Sequence, residues 1–241
     1  MKRIQVLIHI CQLVVIISYP LKAQTPFREG VLTYKADTIR RLESIPAAYI
    51  ISKVVVFKKD DLLRIEIWRF NRLNKSVTEK LIQIWNKKGT YLFSEHSEPI
   101  WARVDKSAIF MTHEEEQQLQ NKRSQFGAIK SFAVNKVSQH IKWFNLDTEK
   151  VELKGGQEYG GALPEAIVST SINIPMSKLF DSAFELPGTP LQFPISEYGW
   201  LIQLTATTLK QTDVPDNLFE INTSFKLKSM ADICREMADF K

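Results

Sequence analysis

The chain has 241 residues and a formal net charge of +5, and three of its positive charges lie within the first 23 residues, which carry no negative one. Without those residues, 29 basic side chains face 27 acidic ones and the net charge is +2. A charge this small does not indicate binding to nucleic acid, which needs clustered positive charge. The remaining 218 residues are enough for a single domain with a sizeable core.

Residues 1–23 have the three parts of a secretory signal peptide. Lys2 and Arg3 form its charged start, residues 4–18 form an apolar stretch, and Ala23 is a small residue suited to the position before the cleaved bond. The apolar stretch is shorter than the ~20 residues of a membrane-spanning helix. We therefore predict cleavage after Ala23 and export to the periplasm or cell envelope of a Gram-negative bacterium. An uncleaved N-terminal anchor is the alternative.

The first part of residues 24–241 alternates apolar and polar side chains with a period of two, which is typical of β-strands. The turn Asn86-Lys87-Lys88-Gly89 favours a hairpin between two of these segments. The pattern predicts a meander of strands at 30–36, 49–58, 62–70, 81–85 and 90–93.

The middle of the chain is less regular. Residues 100–111 predict one or two short strands or turns. Thr112 and Glu115 then form a capping-box pattern that predicts a helix over 112–125. Leu119 is the single apolar residue of this segment, so we expect the helix to lie on the surface or to act as a flap.

Strands return in the last part of the chain, and two more helices are predicted there. Pro175 favours a short helix over 176–184. Cys234 recurs with other apolar residues at helical spacing, which predicts the buried face of a C-terminal helix, and pairing between chains is the alternative for its thiol. Further strands are predicted at 141–146, 150–154, 166–174 and 200–209. The fold class is mainly β (α+β), with roughly nine to eleven strands and two or three helices in one domain.

Large side chains fall on both faces of several predicted strands. The period of two places Trp68 and Trp85 on a face opposite Ile65, Ile67 and Ile84. Because a solvated sheet face does not favour aromatic side chains, either a second layer covers this face or the sheet curls around helices or a ligand. Packing of these aromatic residues beneath loops is an equal alternative.

No catalytic or metal-binding constellation is recognisable. His96, His113 and His140 have no second histidine at the spacings of a zinc helix, and the chain has no Gly-x-Ser-x-Gly motif. We therefore predict a protein that is not an enzyme and that uses no cofactor and no metal.

Three segments of the last third carry a family resemblance. They read FELPGTPLQF at 184–193, GWLIQLTAT at 199–207 and VPDNLFEI at 214–221, and Gly30 and Tyr34 begin the first strand in a similar way. In this order they resemble the GLPGLI-type and related secreted families of the Gram-negative envelope. Those families are similar in fold to the LolA-like lipoprotein-carrier superfamily.

The resemblance implies a curved antiparallel sheet, or incomplete barrel, with the helices on or in its concave side. Such a cavity would bind a lipid, an acyl group or another apolar ligand, and the predicted ligand-binding residues are Trp68, Trp85, Phe144 and Trp200. The expected function is an exported envelope binding protein. The alternative is an envelope module with a filled cavity that docks a partner protein.

Overall fold

The structure is a computed structural model that describes residues 27–41, 49–75, 78–96, 106–125, 133–154, 165–176, 180, 186–197, 199–232 and 235. The predicted signal peptide lies outside these ranges. So do most residues of the two helices predicted over 176–184 and at the C-terminus.

The described part of the chain is mostly β. Its strands are β1 Glu29–Arg41, β2 Tyr49–Lys59, β3 Leu62–Asn71, β4 Thr78–Asn86, β5 Gly89–His96, β6 Ser107–Met111, β7 Ala133–Trp143, β8 Leu146–Lys154, β9 Glu165–Ser169, β10 Thr189–Glu197, β11 Trp200–Lys210 and β12 Lys226–Ser229. Helix α1 spans His113–Gln125, and a 3₁₀ helix spans Asp216–Phe219.

All twelve strands form one sheet in the order β12-β6-β5-β4-β3-β2-β1-β11-β10-β9-β8-β7. Neighbouring strands are antiparallel except β12 and β6, which are parallel. The two outer strands, β12 and β7, do not pair with each other, so the sheet is not closed. The fold is therefore β-rich as predicted, with twelve strands where roughly nine to eleven were expected.

The sheet is curved. Arg72 directly follows β3, yet its guanidinium lies 6.0 Å from the ring centroid of Trp200 at the start of β11, although β2 and β1 lie between those strands. Likewise, the hydroxyl of Tyr34 on β1 donates a 2.7 Å hydrogen bond to the carbonyl of Pro190 on β10, across β11. We call the face that carries Tyr34 and Trp200 the concave face and the other the convex face.

Two apolar clusters lie on the two faces. The larger fills the concave face and includes Tyr34, Ile65, Trp85, Phe193 and Leu204. The smaller lies on the convex face over β4, β5 and β6, where residues 214–225 cover it. Both faces of the central strands are thus buried, which explains why these strands carry large side chains on both sides.

The bounds of the predicted strands 141–146 and 166–174 were wrong, and the second of these, β9, already ends at Ser169. The predicted strand 141–146 contains a tight turn at Phe144 and Asn145, whose φ angles are 53° and 61°. The strand before it starts at Ala133, and two register shifts interrupt its alternation with β8. Because these shifts break the alternation of apolar and polar side chains, the segment lacks the period of two that indicates a strand in a sequence.

Strand β10 is a further difference, since it contains Pro190 and Pro194 and no strand was predicted there. Its pairing with the short β9 covers only 189–192, so Pro194 lies beyond the last β9 partner. Proline has no backbone N–H to donate, so it is tolerated at a strand position where no neighbouring strand would accept that hydrogen bond.

The buried hydroxyl of Tyr34 predicts a dependence of stability on pH. Burial raises the pKa of Tyr34 because a buried phenolate loses its hydration, whereas a tyrosine in the unfolded chain ionises near pH ~10. The stability that the neutral side chain contributes is therefore present below about pH 10 and is lost as the pH rises further. Above that pH, we expect the free energy of unfolding to fall more steeply in the unaltered protein than in Tyr34→Phe, measured by urea unfolding. Equal slopes would contradict this role for Tyr34.

Candidate functional site

The four predicted ligand-binding residues do not share one surface. In the antiparallel register of β3 and β4, Leu63 pairs with Trp85 and Trp68 pairs with Lys80. Paired residues lie on the same face, so Trp85 lies with Leu63 and Ile65 on the concave face and Trp68 lies on the convex face. The prediction that Trp68 and Trp85 share a face was wrong. Period-two alternation fixes faces within a strand, but the register between two strands requires the tertiary structure.

Trp85 is a core residue with a buried polar partner. Its side chain is 3% exposed, and its indole N–H donates a 2.6 Å hydrogen bond to Oε1 of Glu116 in α1. The hydroxyl of Thr90 donates to Oε2 of the same carboxylate at 2.8 Å. Glu116 therefore anchors a polar helix to the concave face.

The start of α1 is as predicted. The N–H of Glu115 donates to Oγ1 of Thr112 at 3.2 Å, and the N–H of Thr112 donates to the Glu115 carboxylate at 2.8 Å. The anchoring role of Glu116 was missed. Three consecutive glutamates follow His113 in the first turn of the helix, and nothing in the sequence distinguishes the one that turns inward.

Phe144 and Trp200 lie on the concave face. Both are half-buried and pack against the large apolar cluster, as does Trp143. Phe144 lies in the turn between β7 and β8, with its ring centroid 6.2 Å from that of Trp143. Trp200 is four strands from β7 in the sheet order. Phe144 and Trp200 thus contact the same apolar cluster from strands that are not neighbours in the sheet.

A segment that we call the strap, residues 211–225, leads from β11 to β12 across the convex face. The N–H of Val214 donates to Oε1 of Glu29 at 2.7 Å, and Nζ of Lys59 donates to the carbonyl of Val214 at 3.2 Å. Lys59 also pairs with Asp216 at 2.6 Å. The strap contains the VPDNLFEI motif, whose Val214 and Phe219 are buried.

Two further side chains of the sheet hold the strap through its backbone. Nη1 of Arg64 donates to the carbonyl of Leu218 at 3.1 Å, and Nδ2 of Asn86 donates to the carbonyl of Phe219 at 2.9 Å. The strap is thus fixed over its first half by hydrogen bonds from β1, β2, β3 and β4. These bonds explain how a segment with little secondary structure can cover a sheet face.

Charged side chains continue across the convex face beside the strap. Arg64 is 9% exposed and Glu66 is 8% exposed, and Nη2 of Arg64 lies 2.7 Å from Oε1 of Glu66. Lys80 pairs with Glu95 at 2.6 Å and lies 3.9 Å from Glu66. This pairing lets the charges lie partly out of water.

Trp68 lies beside these charged side chains on the convex face. The ammonium groups of Lys53 and Lys80 lie 4.8 Å and 5.3 Å from its ring centroid, within cation–π distance. The indole nitrogen is buried and has no hydrogen-bond partner among the described residues. The ring therefore supports two lysine side chains in this structure.

A cleft of about 760 Å³ lies on the convex face between the sheet and the second half of the strap. Its apolar lining comes from Phe93 on β5 and from Ile221 and Phe225 of the strap. The rings of Phe93 and Phe225 have their centroids 4.6 Å apart. Charged and hydrogen-bonding side chains complete the lining. None of the four residues predicted from the sequence lines this cleft, which we call the strap cleft.

Within the described ranges, no three His, Cys, Asp or Glu side chains are grouped so that they could hold a metal ion. In the same ranges, no helix is both long and apolar enough to cross a membrane.

No protein-family model matches the chain, and no curated protein matches it. Among solved structures, LprF from Mycobacterium bovis is similar over 80% of this chain and 89% of its own length, with 10% sequence identity and a TM-score of 0.28. A TM-score this low carries no argument about fold or function. The likeness to the lipoprotein-carrier superfamily therefore stays a prediction from the sequence motifs.

Proposed function

We propose that this protein is an exported, non-catalytic binding protein that takes the apolar part of a lipid, acyl group or other amphipathic molecule in the strap cleft. The observation that carries the proposal is the cleft itself. Its volume of about 760 Å³ lies within the range of about 300–1,000 Å³ typical of small-molecule sites. Its lining joins three apolar side chains to charged and hydrogen-bonding groups, which suits a ligand with one apolar and one polar end.

The apolar part of the cleft can supply useful affinity. Each CH₂ group removed from water contributes about 0.8 kcal/mol, so six such groups contribute roughly 5 kcal/mol before the cost of association. Phe93 is buried beneath the strap, whereas Ile221 and Phe225 are half-buried and present apolar surface to the cleft.

Phe225→Ala should weaken the binding of the uncharged apolar dye N-phenyl-1-naphthylamine. The expected increase in Kd is roughly tenfold, because truncating an aromatic anchor in a pocket typically costs more than ~1 kcal/mol of binding free energy. The measurement is a fluorescence titration with purified residues 24–241. Leu227→Ala is the matched control, since Leu227 lies nearby on β12, is 50% exposed and does not line the cleft. An equal affinity of the Phe225 variant and the control would contradict the proposed site.

A second candidate site is the concave face, as the sequence resemblance implies. The half-buried Trp143, Phe144 and Trp200 support it, because they border a curved face in the manner of an incomplete barrel. If the ligand binds there, Trp200→Ala weakens dye binding and Phe225→Ala does not. If neither variant changes binding and the dye does not raise the melting temperature, the filled-cavity interaction module is favoured.

Export is part of the proposal and rests on the pattern of residues 1–23. Protein recovered from the envelope fraction is expected to begin at Gln24 when its N-terminus is sequenced. Replacing Ala23 with a bulky residue should slow processing, because the signal peptidase accepts small side chains before the cleaved bond. Recovery of intact Met1 in a membrane pellet would establish the N-terminal anchor instead.

A further inference from the structure

Four charged side chains line the strap cleft, and two of each sign are present. Arg64 and Lys106 are basic, and Glu95 and Glu220 are acidic. Arg64 is already paired with Glu66 at 2.7 Å, and Glu95 is paired with Lys80 at 2.6 Å. These two charges are therefore compensated before any ligand arrives.

Lys106 and Glu220 are different. Neither side chain makes an ion pair or a hydrogen bond within the part of the chain that the structure describes, and both are exposed. Their backbones are nevertheless held. The carbonyl of Lys106 accepts a 2.7 Å bond from Lys226, and the N–H of Glu220 donates to the carbonyl of Asn217 at 3.4 Å.

The two charges come from different elements of the cleft lining. Lys106 directly precedes β6 in the sheet, whereas Glu220 directly follows the 3₁₀ helix of the strap. A ligand between them would meet one positive and one negative group, together with the apolar surface of Phe93, Ile221 and Phe225.

We infer that the strap cleft binds a zwitterionic amphiphile, with its anionic group at Lys106, its cationic group at Glu220 and its alkyl chain on the apolar lining. This inference rests on the proposed function, because it assigns a head group to the same site. A head group with a single charge would pair with one of the two side chains. The other side chain would then place a charge of the same sign beside the head group. Repulsion between these like charges weakens the binding of a singly charged ligand and so favours a zwitterionic one.

Three probes with the same dodecyl chain test the inference: dodecylphosphocholine, dodecyl phosphate and dodecyltrimethylammonium. Each is titrated into residues 24–241 by calorimetry below its critical micelle concentration. We expect dodecylphosphocholine to bind roughly twofold to fivefold more tightly than either singly charged probe, which is the range expected for one exposed charge pair. Equal affinities for the three probes would overturn the inference.

Variants that reverse the charge of Lys106, of Glu220 or of both provide the decisive test. Glu220→Lys should shift the preference to dodecyl phosphate, and Lys106→Glu should shift it to dodecyltrimethylammonium. The double variant Lys106→Glu/Glu220→Lys should again prefer dodecylphosphocholine, because the ligand can bind in the reversed orientation of its charges. Both positions are exposed, so the melting temperatures should stay unchanged and report that each variant is folded.

The outcomes separate the inference from the proposed function. If N-phenyl-1-naphthylamine binds in a manner sensitive to Phe225→Ala but the head-group preferences are absent, only the zwitterion inference fails. If neither the dye nor any dodecyl probe binds, both proposals fail. If the double variant does not regain the original preference, Lys106 and Glu220 do not act as the paired contacts.

Discussion

Trp85→Ala is expected to lower the free energy of unfolding by about 3–5 kcal/mol, as for other large-to-small aromatic substitutions in cores. Trp85 is buried in the large cluster on the concave face, and its truncation leaves a cavity there. It also removes the indole N–H that donates to Glu116, while the hydroxyl of Thr90 still donates to the same carboxylate. The measurement is urea unfolding followed by far-UV circular dichroism.

Trp68→Ala is the matched control for this experiment. Trp68 is half-buried on the convex face, and within the part of the chain that the structure describes its indole nitrogen has no hydrogen-bond partner. Its main interactions are with Lys53 and Lys80, and exposed cation–π contacts are worth about 0.5–1 kcal/mol each. A loss of stability from Trp68→Ala as large as that from Trp85→Ala would contradict the assignment of the two residues to different environments.

Arg64→Ala is expected to cost about 3–5 kcal/mol of folding free energy, the range for breaking a buried ion pair by removing one partner. The substitution leaves Glu66 buried, with Lys80 as a weaker partner at 3.9 Å. It also removes the donor to the carbonyl of Leu218, so the strap should open locally. Urea unfolding measures the global effect, and hydrogen exchange of the strap amides measures the local one.

The double variant Arg64→Met/Glu66→Leu separates charge from packing. Replacing both members of a buried pair with apolar residues of similar size is often neutral or stabilising. We therefore expect the double variant to recover most of the global stability lost in Arg64→Ala. Its strap amides should still exchange faster than those of the unaltered protein, because the Leu218 carbonyl stays without its donor. If the single and double variants unfold at the same urea concentration, an unpaired Glu66 is not the cause of the loss.

The sequence predicted those elements whose signal is local. Strands β2 to β5 follow from alternation of side chains along each segment, and the hairpin between β4 and β5 follows from the turn that ends at Gly89. The start of α1 follows from Thr112 and Glu115, which lie three residues apart and bond to each other. Such interactions join neighbours in the chain, so they are visible without knowledge of the fold.

Strands that depend on their neighbours were harder to predict. Strand β7 lies at the edge of the sheet, has two register shifts against β8 and ends at a turn whose first residue is Phe144. Strand β10 contains Pro194, which is tolerated because the pairing of β10 with β9 stops at Gln192. In both cases, the pairing partner decides whether a poor strand sequence can form a strand.

The sequence by itself determined the charge outside residues 1–23, the period of two along the central strands and the capping of α1. Only the tertiary structure decided the relative placement of Trp68 and Trp85, because a shift of one residue in the register of β3 and β4 would exchange the faces. The strap cleft is also a tertiary feature. It brings Arg64 and Phe93 together with residues 217–225, which are more than a hundred positions away in the chain, and long-range pairing of this kind leaves no periodic signal in the sequence.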